Sequence, residues 1–174
     1  ELAAYKKRLK AMRNLPQALK EVLERIPASA HPMDVMRTGC SMLGNLETEQ
    51  SFAQQQDATD RLLAIFPGLI NYWYNFSHKG QRIEVETAAD SIAEQFLWTL
   101  HGEKPTQLHT DVMNSSLILY AEHEFNASTF TARVCASTLS DMHSCITGAI
   151  GSLRGPLHGG ANEAAMELIE KMDN

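Results

Sequence analysis

The chain has 174 residues, of which 44% are hydrophobic and 21% charged, and its formal net charge is −6. These values are ordinary for one globular domain with a sizeable core, and they argue against a disordered chain. The negative charge and the lack of a basic stripe argue against a nucleic-acid partner. No apolar run of about 18 residues is present, so the sequence predicts no membrane span, and its start does not read as a signal peptide.

Helical periodicity runs through nearly the whole chain. Pro16 fits the first turn of a helix, and Pro27 ends that helix. Residues 62–73 are apolar around much of the helical girth, which predicts a buried helix. The helical patterns cover, in order, residues 2–13, 16–26, 29–42, 62–77, 90–101, 108–121, 130–153 and a segment that begins at Ala164. The pattern of residues 45–57 predicts a solvated loop with some helix. Because no segment alternates with period two, the sequence predicts an all-α fold of roughly six to eight helices.

Small residues form one face of the helix predicted over residues 130–153. Gly148, Ala149 and Gly151 would let a neighbouring helix come close to the backbone. This face predicts a tight helix–helix contact, either in the core or across a subunit interface.

The spacing of the cysteines and histidines indicates neither a disulfide framework nor a metal centre. The three cysteines, Cys40, Cys135 and Cys145, are odd in number and lack zinc-site spacing, so the sequence predicts reduced thiols and a cytoplasmic location. No His-x-x-x-His pair occurs, and the ligands of Glu122-His123-Glu124 cannot converge on one ion, so no metal site is predicted. Five histidines have unremarkable surroundings: His31, His78, His101, His109 and His143. We expect His143 to be a packed or solvated residue within a helix.

The first group of residues that could take part in a reaction surrounds His123. This histidine lies in the segment YAEHEFNAST, residues 120–129, between two glutamates and just before Asn, Ser and Thr. The cluster predicts a polar site. The simpler interpretation is the end of one helix, with Asn126 or Ser128 as the N-cap of the next.

The second group surrounds His158. It lies in GPLHGGANE, residues 155–163, immediately before an apolar helical pattern. A histidine at a helix N-terminus meets the positive end of the helix dipole, which favours the neutral imidazole as a hydrogen-bond donor. Gly159 and Gly160 would leave space beside it for a substrate. The simpler interpretation is a glycine-rich turn between two helices.

Taken together, the two segments resemble the citrate synthase family. They occur in the expected order, with a glycine-bearing helix between them. Three stretches resemble its 2-methylcitrate synthase branch more closely: HPMDVMRTG at 31–39, YWY at 72–74 and YAEHEFN at 120–126. The resemblance covers essentially the whole chain. It implies that residues 1–174 are a helical portion of the large domain of that fold, with the C-terminal part of the enzyme outside this chain.

The resemblance also implies an activity and the residues that serve it. The family condenses an acyl-CoA with oxaloacetate and then hydrolyses the thioester. His158 is implied as the catalytic residue that hydrogen-bonds the thioester carbonyl, and Ser128 as the residue that orients it. His123, Tyr120 and Asn126 are implied as residues that bind oxaloacetate or line its site. The branch implies propionyl-CoA as acyl donor, with acetyl-CoA as the alternative. The acyl-CoA is a substrate, so no permanently bound cofactor is expected.

Several parts of the family's active site have no counterpart here. A second histidine in a Gly-x-Gly-His motif, a catalytic aspartate, carboxylate-binding arginines and the CoA-binding segment would all lie beyond this chain. We therefore expect the 174 residues alone to be inactive. The resemblance further implies a homodimer or a higher homo-oligomer. A hypothesis of another class is a non-catalytic helical interaction module, because the small-residue face would also suit an interface.

Overall fold

The computed structural model describes residues 1–172, and this part of the chain is all-α, as predicted. It contains nine α-helices and one short 3₁₀ helix at Phe52–Gln54. The α-helices are α1 Leu2–Lys10, α2 Gln17–Glu24, α3 Pro32–Leu46, α4 Gln55–Lys79, α5 Ile92–His101, α6 Gln107–Tyr120, α7 Ala127–Ser137, α8 Met142–Leu153 and α9 Gly160–Met172. The long connections at 47–51 and 80–91 run between helices without regular structure of their own.

The prediction of six to eight helices was too low, because the pattern over 130–153 is two helices. Helix α7 ends at Ser137, and Leu139 adopts a left-handed backbone with φ +65°. Asp141 then caps α8, its side chain accepting the backbone N–H of Ser144 at 2.9 Å. Apolar spacing continues across this break, so periodicity alone could not reveal it.

Helix α4 is the centre of the core, which confirms the prediction of a buried helix. Its inward face carries Leu62, Ile65, Leu69, Tyr72 and Trp73, each at most 3% exposed. Helices α1, α2, α3, α5 and α8 all pack against it. The core therefore gathers around one long helix, and α3 and α8 form the side of that core nearest His158.

The small face of α8 is used inside this chain. A Cβ added to Gly148 would lie 3.6 Å from Thr131 Cγ2 in α7, and one added to Gly151 would lie 3.8 Å from Arg37 Cδ in α3. Packing between helices of this chain is therefore the use observed for these two half-buried glycines. Because α8 packs against α3 and α7, the turn that follows it starts from a position set by both helices.

Helices α6 and α7 contribute no buried residue to this core. Their exposed apolar side chains include Ile118, Leu119, Phe130 and Val134, and Phe125 in the connection between them is 84% exposed. Within residues 1–172, no helix is long and apolar enough to cross a membrane. Cys40, Cys135 and Cys145 are all free.

Candidate active site

His158 lies in the turn that joins α8 to α9, two residues before α9 begins. The turn is held by its own backbone: the N–H of His158 donates to the carbonyl of Gly155 at 3.0 Å, and the carbonyl of His158 accepts the N–H of Ala161 at 3.1 Å. The imidazole is half-buried, while Leu157 beside it is 99% exposed. The turn therefore presents the histidine at the mouth of a helix, at the edge of the core.

The two glycines after His158 are required by the backbone of the turn. A Cβ on Gly159 would collide with the carbonyl oxygen of Leu153, at the end of α8. A Cβ on Gly160 would lie 3.2 Å from the carbonyl oxygen of Gly155. We expected these glycines to leave space for a substrate. Both glycines do line a cavity, and the structure adds a second requirement, the close approach of the backbone at Gly159 to the end of α8.

A chain of hydrogen bonds links His158 to the start of α7. His158 Nε2 lies 3.0 Å from Ser128 Oγ, and Ser128 Oγ lies 2.7 Å from Asn126 Oδ1. Asn126 is also the N-cap of α7, since its Oδ1 accepts the backbone N–H of Thr129 at 2.8 Å. The simpler interpretation of Asn126 as a cap is thus confirmed, and the same side chain also contacts Ser128.

The Ser128 hydroxyl has one proton and two neighbours that could accept it. If the proton points to Asn126, Ser128 accepts from His158 Nε2–H, and Nδ1 carries a lone pair. If it points to His158 Nε2, Nδ1 carries the proton and becomes a donor. The orientation of this one hydroxyl therefore sets which nitrogen of His158 can donate to a substrate.

Tyr120 and His123 lie near this turn but outside the hydrogen-bonded chain. Tyr120 is the last residue of α6, and its ring centroid is 6.0 Å from that of His123 in the exposed connection to α7. Tyr120 also lines a cavity of about 350 Å³ together with Gly159 and Gly160. The structure thus places Tyr120 beside the His158 turn, and His123 beside Tyr120.

His31, whose surroundings in the sequence were unremarkable for a site residue, lies on the same cavity. Its Nδ1 accepts the backbone N–H of Met33 at 3.1 Å and so caps α3. In the neutral ring the proton is therefore on Nε2, which donates to Glu163 Oε1 in α9 at 2.9 Å. The cap could have been anticipated from Pro32, which is typical of a first helical position. The contact with Glu163 spans 132 residues and has no local signal.

With this geometry established, comparison with known proteins assigns the family. Residues 1–174 match the family described as "Citrate synthase, C-terminal domain". The chain belongs to the citrate synthase family. It is 76% identical, over 99% of its length, to a protein of Shewanella oneidensis named 2-methylcitrate synthase. It is 42% identical, over 93% of its length, to a protein of Heyndrickxia coagulans named citrate synthase.

Solved structures agree with this assignment. The citrate synthase of Thermoplasma acidophilum, solved as a ternary complex with carboxymethyl coenzyme A and oxaloacetate, matches with a TM-score of 0.87 and 30% identity. That match covers 98% of this chain and 45% of the solved chain. The Shewanella and Heyndrickxia relatives are likewise covered over 46% and 44% of their lengths. The chain thus spans about half the length of the proteins it matches in this family.

Proposed function

We propose that the protein that contains this chain is an acyltransferase of the 2-methylcitrate synthase type. In the proposed reaction, propionyl-CoA loses an α-proton, and the resulting enolate carbon attacks the keto carbon of oxaloacetate. Water then cleaves the thioester, giving 2-methylcitrate and CoA. One observation carries this proposal: His158, in its helix-start turn, contacts Ser128 at 3.0 Å in a chain 76% identical to a protein named 2-methylcitrate synthase.

In this proposal His158 is the catalytic donor to the thioester oxygen. In the structure the Ser128 hydroxyl donates to Asn126 Oδ1 at 2.7 Å. When substrate binds, it is proposed to turn and donate to Nε2 instead, so that Nδ1–H faces the substrate and stabilises the charge that develops on the enolate oxygen. A neutral imidazole suits this role, because the start of α9 disfavours a further positive charge. One such donor is typically worth about 10²–10³ in rate.

Oxaloacetate is proposed to lie on the side of His123 and Tyr120. A charge-assisted hydrogen bond from His123 would anchor a carboxylate, and its exposed position leaves the ring accessible. Tyr120 would line the site from the end of α6. The Oδ1 of Asn126 is occupied by Ser128 and Thr129, so its NH₂ group is the part proposed to contact the substrate.

The 174 residues are proposed to form a helical portion of the large domain. The remainder of the active site is proposed to come from polypeptide outside them. The protein is proposed to be a homodimer or a higher homo-oligomer. The exposed apolar side chains of α6 and α7 support this, because such surfaces are normally covered. A cytoplasmic location is proposed on the basis of the three free thiols.

The proposed function can be tested on the full-length protein by measuring CoA thiol release from propionyl-CoA and oxaloacetate. We expect H158A to lower kcat by about 10²–10³-fold or more. S128A should lower kcat by less, with little change in the KM for oxaloacetate. The matched variant S137A removes an exposed hydroxyl from the same helix and should leave kcat unchanged. Full activity in H158A would refute the assigned role.

The second candidate is citrate synthase, which uses acetyl-CoA. It is favoured by relatives of that name at about 40% identity, such as those of Heyndrickxia coagulans and Bacillus subtilis. The ratio of kcat/KM for propionyl-CoA to that for acetyl-CoA separates the two, and we expect it to exceed one. The 174-residue chain alone should release no thiol above background with either substrate.

A further inference from the structure

A second cluster of potential ligands lies at the end of α8 that is farther from His158. It consists of Glu49 in the connection after α3, Asp141 at the N-cap of α8 and His143 in its first turn. One ligand atom from each residue lies within 4.8 Å of the other two. The twelve residues of α8 separate this cluster from the turn of His158 by about 18 Å along the helix axis.

His143 is the most unusual member of the cluster. It is 3% exposed, and neither ring nitrogen has a hydrogen-bond partner. Its position is fixed by close packing on α3, where a Cβ on Gly44 would lie 2.7 Å from His143 Cβ. Burying a polar group without a partner is unfavourable by about 1–3 kcal/mol or more. Such a side chain, directed at two carboxylates, calls for a ligand that the rest of the fold does not supply.

The separation between His143 and Glu49 suits a metal better than a direct hydrogen bond. His143 Nδ1 lies 3.4 Å from Glu49 Oε1, beyond the usual range for an N–H···O bond. Ligand atoms bound to Zn²⁺ at about 2.0–2.1 Å in tetrahedral geometry are roughly 3.3–3.4 Å apart. The observed distance therefore equals one edge of such a tetrahedron.

The charge at the cluster also favours a cation. Two carboxylates lie beside one imidazole, and the start of α8 offsets only about half a charge. Arg61, a cation on the neighbouring cavity, is held by Glu47 at 2.7 Å.

We propose that Glu49, Asp141 and His143 bind a divalent transition-metal ion of the Zn²⁺ class. One carboxylate oxygen from each acid and Nδ1 of His143 supply three ligands. A mixed set of one imidazole and two carboxylates suits Zn²⁺ or Co²⁺ better than Mg²⁺, which prefers oxygen ligands alone. Asp141 and His143 line a cavity of about 440 Å³ with Ser41 and Asn45, and Glu49 and His143 line a second cavity of about 310 Å³.

Existing hydrogen bonds would support the ligands from outside. Glu49 Oε1 accepts the backbone N–H of Met142 at 2.7 Å, and Asp141 accepts from Ser144. Such contacts orient carboxylate ligands and leave lone pairs for the ion. A bound ion would tie the 47–51 connection to the start of α8. This site does not depend on the reaction proposed above.

The test uses the full-length protein, freed of metal by a chelator and titrated with Zn²⁺ in a calorimeter. We expect roughly one equivalent to bind at this site. E49Q keeps an oxygen for the N–H of Met142 but removes the charge, and H143N removes the imidazole. Each should weaken binding by more than the roughly 10–100-fold that loss of an outer contact costs. H101N, the same substitution at an exposed histidine, is the matched control and should bind as the unmodified protein does.

Co²⁺ provides a second readout that needs no variant. The unmodified protein should give the strong visible absorption of four-coordinate Co²⁺ without the ultraviolet band of a cobalt–thiolate bond. The thermal midpoint should also rise on Zn²⁺ addition in the unmodified protein and H101N but not in E49Q. Equal affinity in the unmodified protein and E49Q, a thiolate band, or no binding at all would each overturn the proposal.

Discussion

The first half of the described chain, taken as α1–α5, and the second half, α6–α9, differ in how they bury their apolar residues. Helix α4, in the first half, contributes thirteen buried residues, and α2, α3 and α5 pack closely around it. Helices α6 and α7, in the second half, contribute none, and α8 is the element of that half that reaches the shared core through Ile150. Yet α6, α7 and α9 are as regular as the helices of the first half.

Because of this difference, most of the candidate site lies outside the well-packed core around α4. Tyr120, His123, Asn126 and Ser128 all lie in the second half, on elements whose apolar faces are exposed. The first half and α8 hold the turn of His158 in place from one side. We infer that the other side of the site is supported by polypeptide beyond these residues, in the same chain or in a second copy.

The largest expected effect contrasts Leu69 in α4 with Leu119 in α6. Leu69 is fully buried, so L69A should lower the free energy of unfolding of the full-length protein by about 2–5 kcal/mol. Leu119 is 76% exposed here. If its face is covered in the full-length protein, L119A should cost more than the roughly 0.5 kcal/mol typical of surface positions. Urea unfolding measures both values. A change within that surface range for L119A would show that the α6 face stays exposed.

A smaller effect is expected from two glycines near the site, Gly159 in the turn of His158 and Gly151 in α8. G159A places a Cβ against the backbone carbonyl of Leu153, and overpacking of this kind costs about 1–3 kcal/mol. Because the turn must shift, we also expect kcat to fall. G151A is the matched control, since its Cβ would be in ordinary contact, 3.8 Å from Arg37 Cδ. It should be neutral or stabilising by up to about 1 kcal/mol, through helix propensity. Equal behaviour of the two variants would contradict the structure of the turn.

The smallest effect is electrostatic and belongs to the first half. Arg82, at 2.7 Å, and the hydroxyl of Tyr72 lower the pKa of Glu24 from 4.5 to about 2. Because the folded-state pKa is depressed, the stabilisation is present above about pH 4.5 and is lost as the pH falls towards 2. Because the Arg82 side chain is 68% exposed, the effect should be modest and should weaken with salt.

The variant E24Q tests this acid dependence. It should flatten the decline of the thermal midpoint between about pH 4.5 and 2. E21Q removes a carboxylate from the same helix that accepts a hydrogen bond from the neutral Gln17 side chain at 3.2 Å, and it serves as the matched control. An unchanged decline in E24Q would show that the pair does not contribute to stability.

The local features of this protein could be predicted from its sequence alone. The helical period, Pro16 and Pro32 at helix starts, the cap at Asn126 and the glycine turn after His158 are all short-range signals. They depend on backbone geometry and on neighbours within one or two turns, which a sequence displays directly. The order of the two polar segments was enough to indicate the family.

The contacts that these local features make became visible only in the tertiary structure. It joined Ser128 to His158, His31 to Glu163 and Glu49 to His143, pairs that are distant in sequence. It also divided residues 130–153 into two helices and packed the small face of α8 against α7 and α3. Such outcomes depend on how helices pack in three dimensions, because the burial of one face depends on a neighbour that no local pattern specifies.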